Sequence, residues 1–456
     1  MVAIQKKVNQ VISYTQNMVP LKSDKTYNII IQTISVFLVF ILWNYHLFEG
    51  AGHGILKKSV MILFIILGII GIRVYKPVEK KIDLKFLVVW MILGLAQFIT
   101  AFTVSKEYLI FAFIWTIGYP IFFFFWSGKE EFSKLMFSLA TAIEVVFIVM
   151  TMLAILLVPI TIKYQYNGFT RNPNSFGEQL IAAFPAIIYL YYCAKSKISK
   201  RLHFLLICVV IAFAFFTRSR TALLSILGML ICTAFIYLIR EKKKLKFFIQ
   251  MIIGLIIGIV FSIVVLFGIN RASLMVIDNH NESVLTFLSP GFSEDYYFKD
   301  IKGQKKNENL NDIFNAYAKR VSVSDRNINA YSSGRVEIWK KALDLFKWNG
   351  NSSKVHIYTD QDKGSDTHNT TLQFIFNFGY LAGICYVLLI VTNFIFLLYK
   401  SIKEKANVFV FLILANVGYL LSTQFSSMIS PFYYLITFVF YFTFIPNFYK
   451  TEKDSL

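Results

Sequence analysis

Charge is what this sequence has least of. Only 16% of its 456 residues are Asp, Glu, Lys or Arg, where soluble domains carry about 25%. Apolar runs of about 20 residues recur along most of the chain, long enough to cross the hydrocarbon core of a bilayer. A soluble globular enzyme and a disordered chain are both excluded by that pattern. Cysteine is scarce too. Cys193, Cys208, Cys232 and Cys385 all fall inside apolar runs, which excludes a disulfide-stapled secreted scaffold. Residues 1–27 hold Lys6, Lys7, Lys22 and Lys25 but no apolar core of signal-peptide length, so a cleaved signal peptide is not expected. Ionisable groups within the runs are few. Glu144 sits well inside one and Glu178 lies in the first turn of another. Such a charge-poor midplane argues against a proton-coupled pump.

What the chain has in abundance is apolar helix. Hydropathy places twelve spans at roughly 28–45, 58–72, 86–103, 108–126, 135–160, 176–194, 202–216, 221–239, 247–269, 371–398, 406–424 and 432–449. The expected fold is an all-α, polytopic integral membrane bundle. Residues 1–27 and 450–456 form its cytoplasmic ends, 28–269 hold nine spans, 270–370 form an extracytoplasmic cap, and 371–449 hold three spans.

The formal net charge of +20 invites a nucleic-acid reading, but its position points elsewhere. Twenty-five Lys and Arg lie in segments on the N-terminal side of the spans, against seven in the short loops on the other side. The positive-inside rule then puts both termini in the cytosol. The long 270–370 segment holds 14 basic and 13 acidic residues and is nearly neutral. Basicity belongs to the cytosolic membrane face, and no nucleic-acid partner is expected.

At 101 residues, the 270–370 segment is too long for an ordinary connection. Residues 308–321 read as a short helix. Residues 334–347 place Val336, Trp339, Leu343 and Phe346 at helical spacing, an apolar stripe that needs a partner. This helix is expected on the outer mouth of the bundle, and residues 278–306 carry the least pattern. The division into nine and three spans shows no six-plus-six repeat of the kind transporters use.

Four outer-face stretches hold the candidate chemistry. In NGFTRNPNSFG (167–177), Pro173 suits a helix start and Asn172, Asn174 and Ser175 can cap it. Capping accounts for these residues, but not for Arg171. In TRSRTA (217–222), Arg218 and Arg220 occupy a short outer turn where basic residues are disfavoured. Snorkelling to lipid phosphate is one reason for them. A phosphate clamp at the start of the next helix is the other, with Arg220 the better placed. In SSGRVEIWKKAL (332–343), Arg335 begins the amphipathic helix, as a surface arginine or as a bidentate anion grip. In DTHNTTLQFIFNFGYLAG (366–383), His368 stands just before a span, as a cap or as a general base near neutral pH. His46, His53, His203, His280 and His356 lack comparable surroundings. Asp360-Gln361-Asp362 is a DxD triplet of the kind metal-dependent glycosyltransferases use, though an Asp-rich loop yields such triplets by chance.

Arginines, helix starts and one histidine on a single membrane face suit a diphosphate leaving group and a hydroxyl nucleophile. In these stretches the chain resembles the bacterial O-antigen ligase and polysaccharide polymerase (Wzy-type) superfamily. The resemblance spans roughly residues 165–390. It rests on GFTRNPNSFG, RSRTALL, SGRVEIWKKAL and THNTTLQFIFNFGYLAG in the family's order, with the long outer loop between the expected spans. It implies a polyprenyl-diphosphate-linked oligosaccharide donor, a lipid-linked hydroxyl acceptor, and metal-independent inverting transfer with no cofactor. Carried over, Arg220 and Arg335 would hold the diphosphate, with Arg218 and Arg171 as further candidates. His368 would deprotonate the acceptor, while Asn174, Asn369 and Glu178 would shape the site. Membrane lipid, a flippase and a chain-length regulator are the implied surroundings. Polymerase and ligase remain open on these motifs. A lipid-linked-sugar transporter is the alternative of another class.

Overall fold

The structure, a computed structural model, describes residues 24–45, 52–74, 81–82, 84–158, 160, 165–170, 172–241, 245–277, 310–321, 334–358, 363–430 and 432–450. The chain is an all-α polytopic membrane protein. Among the described residues ten helices are long and apolar enough to cross a bilayer. They are α1 (Asp24–Trp43), α2 (Gly52–Val74), α3 (Leu84–Thr103), α4 (Lys106–Trp126), α5 (Lys129–Leu157), α6 (Pro173–Cys193), α7 (Lys197–Thr217), α8 (Arg220–Glu241), α9 (Leu245–Ile277) and α12 (Thr370–Glu404). Among the described residues between α9 and α12 are two short helices, α10 (Leu310–Val321) and α11 (Arg335–Asp344).

The last two expected spans differ from the rest. Residues 406–424 give α13, Asn407–Ser422, of only 16 residues. Residues 432–449 give α14, Leu435–Phe442, followed by a 3-10 turn at Ile445–Asn447. Sixteen residues rise about 24 Å, short of a hydrocarbon core. All eight residues of α14 and eleven of the sixteen of α13 are buried by protein, and the rest of α13 is half-buried, so neither has to match lipid thickness. Elsewhere the expected bounds shift by a few residues. The largest shift is in α9, whose 33 residues run on to Ile277.

Local chemistry explains the breaks. Asn172 caps α6 by accepting the Asn174 N–H at 2.8 Å, with Pro173 in the first turn. Ser196 caps α7 through the Ser199 N–H. Arg218 closes α7 in the left-handed region at φ 51°, and the chain turns directly into α8. Asn369 caps α12 by accepting the Leu372 N–H at 3.0 Å. Mid-span, α4 relaxes into a π turn at Ile114–Gly118. Its Trp115 stacks on Trp90 of α3 at 4.4 Å, and the Trp90 indole donates to the Trp115 carbonyl.

Two ends of the bundle can be told apart. At one, the short strands β1 (Lys81–Ile82) and β4 (Tyr449–Lys450) pair antiparallel, joining the α2–α3 connection to the C-terminal segment. The other, the cap end, carries α11 and a small hairpin of β2 (Ile357–Tyr358) and β3 (Lys363–Ser365). The cap is bolted to the bundle. Gly379 breaks α12 at φ 84°, which interrupts the helical ladder and releases the Phe376 carbonyl. Asn351 takes that carbonyl with both its backbone N–H at 2.9 Å and its side-chain amide at 3.0 Å. A Cβ on Gly379 would collide with the Trp348 carbonyl, and one on Gly350 with the Asn377 carbonyl. Backbone thus lies on backbone at the kink. A second anchor reaches α3, where Thr100 donates to the Asn349 carbonyl at 2.8 Å and Asn349 donates to Thr103 at 3.2 Å.

The buried face of α11 is not the expected one. Ile338 and Ala342 are buried with Ile357 of the hairpin and Phe376 of α12, and Phe346 packs alongside. Leu343, expected in the stripe, is 56% exposed. The helix stops at Asp344, so its face is set by the hairpin and the α12 kink.

Candidate active site

The cap end draws five pieces of chain together: the starts of α6, α8, α11 and α12, and the connection from α13 to α14. Glycine lets two of these starts meet. A Cβ on Gly177 would come 2.9 Å from the Ala222 Cβ and 3.4 Å from the Ser219 hydroxyl. Across this contact Ser219 donates to the Asn174 side-chain amide oxygen, Oδ1, at 2.9 Å. The Ala222 N–H donates to the same Ser219 hydroxyl at 3.4 Å. Asn174 is thereby tied to the residue that precedes Arg220.

Arg335 begins α11 behind Gly334, which takes φ 80°. Burial and the Arg220 charge both push the Arg335 guanidinium below its ordinary value, while Asp366 acts the other way. Arginine stays cationic regardless. The effect puts the two guanidiniums, at the first residues of two helices, within electrostatic reach of each other. Phe425 covers the Arg335 guanidinium at 5.7 Å.

His368 is fixed by its neighbours. It takes φ 46°, and the Asp366 carboxylate accepts its backbone N–H at 2.9 Å. The same carboxylate oxygen lies 3.3 Å from His368 Nδ1. On one side the Trp339 indole of α11 donates to the Thr367 carbonyl at 2.9 Å. The helix that carries Arg335 is therefore referenced directly to the turn that carries His368. On the other side Thr367 N–H donates to Gln373 at 2.7 Å. The ring is 38% exposed, enough to reach a substrate.

The α13–α14 connection closes the ring. Thr370 N–H donates to the Thr423 carbonyl at 2.9 Å, its hydroxyl donates to the Ser426 carbonyl at 2.9 Å, and Met428 N–H donates to that hydroxyl at 2.8 Å. Asn369 also reaches Gln424 at 3.3 Å. Glu178 hydrogen-bonds Ser426 and lies within electrostatic reach of Asp366.

Of the sequence candidates, Arg220, Arg335, His368, Asn369, Asn174 and Glu178 thus share one cluster. Arg218 is buried at the end of α7. Arg171 and the Asp360-Gln361-Asp362 triplet lie outside the described residues, as do residues 278–306. Among the described residues no three His, Cys, Asp or Glu side chains stand together to hold a metal ion. One histidine reading needs correction. His203 Nδ1 lies 2.6 Å from Glu144 Oε1 between α7 and α5, a setting that 59 residues of separation hide in the sequence. Trp339, expected as part of an apolar stripe, contributes through its indole N–H, and the cluster also takes in Asp366, Phe425 and Ser426. The signal for the last two was a polar and aromatic island, QFSSMISPFYY (424–434), between two apolar runs. It drew no attention because it holds no charge.

A family model described as O-antigen ligase matches residues 203–387. That stretch runs from α7 through the cap and past the α12 kink, and it contains Arg218, Arg220, Arg335, Asp366, His368 and Asn369. Asn174 and Glu178 precede it. No curated protein matches the chain.

Proposed function

We propose, from the match of residues 203–387 to the O-antigen ligase family model and the resemblance to the Wzy-type superfamily, that the chain is a bacterial polysaccharide polymerase. In this reading it transfers glycan from a polyprenyl-diphosphate donor to a lipid-linked repeat unit. The reaction serves capsule, exopolysaccharide or O-antigen synthesis. Both termini lie in the cytosol and the cap end faces outward, as the excess of basic residues on the opposite side supports.

The observation that carries the reading is that Arg220 and Arg335, each the first residue of a helix, lie within electrostatic reach of each other, with Arg335 also within reach of Asp366 in the His368 turn. Two cations set against one another at helix starts repel, and an anionic diphosphate between them relieves that repulsion. The N-terminal ends of helices and guanidiniums suit its oxygens. His368 takes the proton of the acceptor hydroxyl. The acceptor oxygen forms a bond to the anomeric carbon, and the carbon–oxygen bond to the diphosphate breaks. The electron pair leaves on the diphosphate, which the arginines stabilise, and attack from the far side inverts the anomeric centre. Neither step calls on a metal.

The test uses purified full-length protein, the lipid-linked repeat unit of the source bacterium, and EDTA. A ladder of longer glycans on polyprenyl diphosphate is expected. Transfer only to a separate lipid or wall acceptor would make the chain a ligase. No transfer with either acceptor would overturn the enzyme reading in favour of a lipid-linked-sugar transporter.

A further inference from the structure

The cluster continues beyond Glu178 into groups that proton transfer and the diphosphate do not use. Tyr434, just before α14, lies within electrostatic reach of Glu178, Asp366, Tyr45 and Tyr433. Tyr45, at the cap end of α1, packs on Tyr433 at 4.8 Å between ring centroids, and their hydroxyls interact. Lys57 of α2 lies 5.2 Å from the Tyr433 ring. Tyr433 and Tyr434 are only partly buried, as is Glu178. One Glu178 carboxylate oxygen is buried with no hydrogen-bond partner among the described residues. The cluster therefore has a polarity. Arg220 and Arg335 mark one end, the Asp366–His368 turn lies between, and aromatic rings with a carboxylate mark the other.

Sugars are recognised by that second combination. Their C–H faces lie flat on aromatic rings and their hydroxyls donate to carboxylates. Tyrosine supplies a rigid apolar plane with a polar tip. In an inverting displacement the nucleophile and the leaving group stand on opposite sides of the anomeric carbon. With the arginines on the leaving side, the aromatic end is left to the incoming sugar. We propose that Tyr433, Tyr434 and Glu178 form the acceptor-glycan subsite, with the two tyrosines as platform, the buried Tyr45 backing the Tyr433 ring, and Glu178 accepting from a sugar hydroxyl. The proposal rests on the transfer reading above, and its test separates the two.

The probe is the repeat-unit oligosaccharide of the source bacterium, stripped of lipid and phosphate. Its binding to full-length protein in detergent is measured by ligand-observed saturation-transfer NMR. Binding to wild type is expected, weakened about tenfold or more by Tyr433→Ala and Tyr434→Ala. Tyr433→Phe keeps the ring and should bind as wild type does, while the isosteric Glu178→Gln should weaken binding without unfolding the helix start. Arg335→Ala should leave it unchanged. In turnover assays the tyrosine variants should raise the acceptor KM with little change in the donor KM. No binding by wild type, equal binding by the tyrosine variants, or binding lost in Arg335→Ala would overturn the subsite. Tyrosine-dependent binding without any transfer would keep the subsite and sink the transferase.

Discussion

Helix α6 is the least apolar of the ten candidate spans among the described residues, and it is the most buried, with 83% of its best membrane window covered by protein. Helix α9 is the reverse. It is the most apolar, and only 17% of its window is covered. In water the most apolar helix would be the core. In a bilayer lipid satisfies apolar surface as well as protein does, so small and polar residues decide which faces meet. Gly177 admits Ala222, and Gln179 of α6 donates its amide to the Trp43 carbonyl of α1. Those contacts put the start of α6 inside the site. Ile253, Ile256, Ile257 and Val260 of α9 remain exposed to lipid.

The comparison predicts a steep gradient of mutational effect from the cap end to the lipid face. Arg335→Ala and Arg220→Ala should each lower kcat by about 10²–10³-fold, the usual result of removing one preorganised electrostatic contact. His368→Ala should cost no more than either arginine, about 10²–10³-fold, the lower part of the usual span for general-base help. Steady-state rates of product formation read both, and an arginine variant more active than His368→Ala would reverse the order. Gly379→Ala should destabilise by about 1–3 kcal/mol from backbone strain and free the cap, read as faster protease cleavage near residue 350. Gly177→Val should lower stability by about 1–3 kcal/mol through overpacking against α8, seen as a lower Tm in detergent. At the other extreme, Ile257→Ala in α9 should stay within about 0.5 kcal/mol. A large loss there would break the contrast between the two helices.

Much of this was legible in the sequence, because hydropathy acts over 20 residues at a time. Ten of the twelve spans are helices of membrane length, and α11 begins at Arg335 beside its expected start. Candidate residues in separate stretches were legible as types: arginines at helix starts, and a histidine before a span. Their meeting was not, because it depends on single atoms far apart in sequence. One glycine, Gly177, lets α6 touch α8. Another, Gly379, frees a carbonyl for Asn351. Asp366 was in view two residues from His368, yet only the left-handed backbone at His368 turns its carboxylate toward the ring. The 424–434 island carries no charge to mark it in the sequence, and its contributions are hydroxyls, carbonyls and rings. The shortness of α13 and α14 was likewise hidden, since their runs are as apolar as those that face lipid.

The most direct test of the account compares Arg335→Ala with wild type for release of polyprenyl diphosphate from the lipid-linked donor, in full-length proteins matched for Tm and with EDTA present. The account predicts release by wild type and a loss of at least about 10²-fold in the variant. Release at the wild-type rate by stably folded Arg335→Ala would contradict the role of the two helix-start arginines.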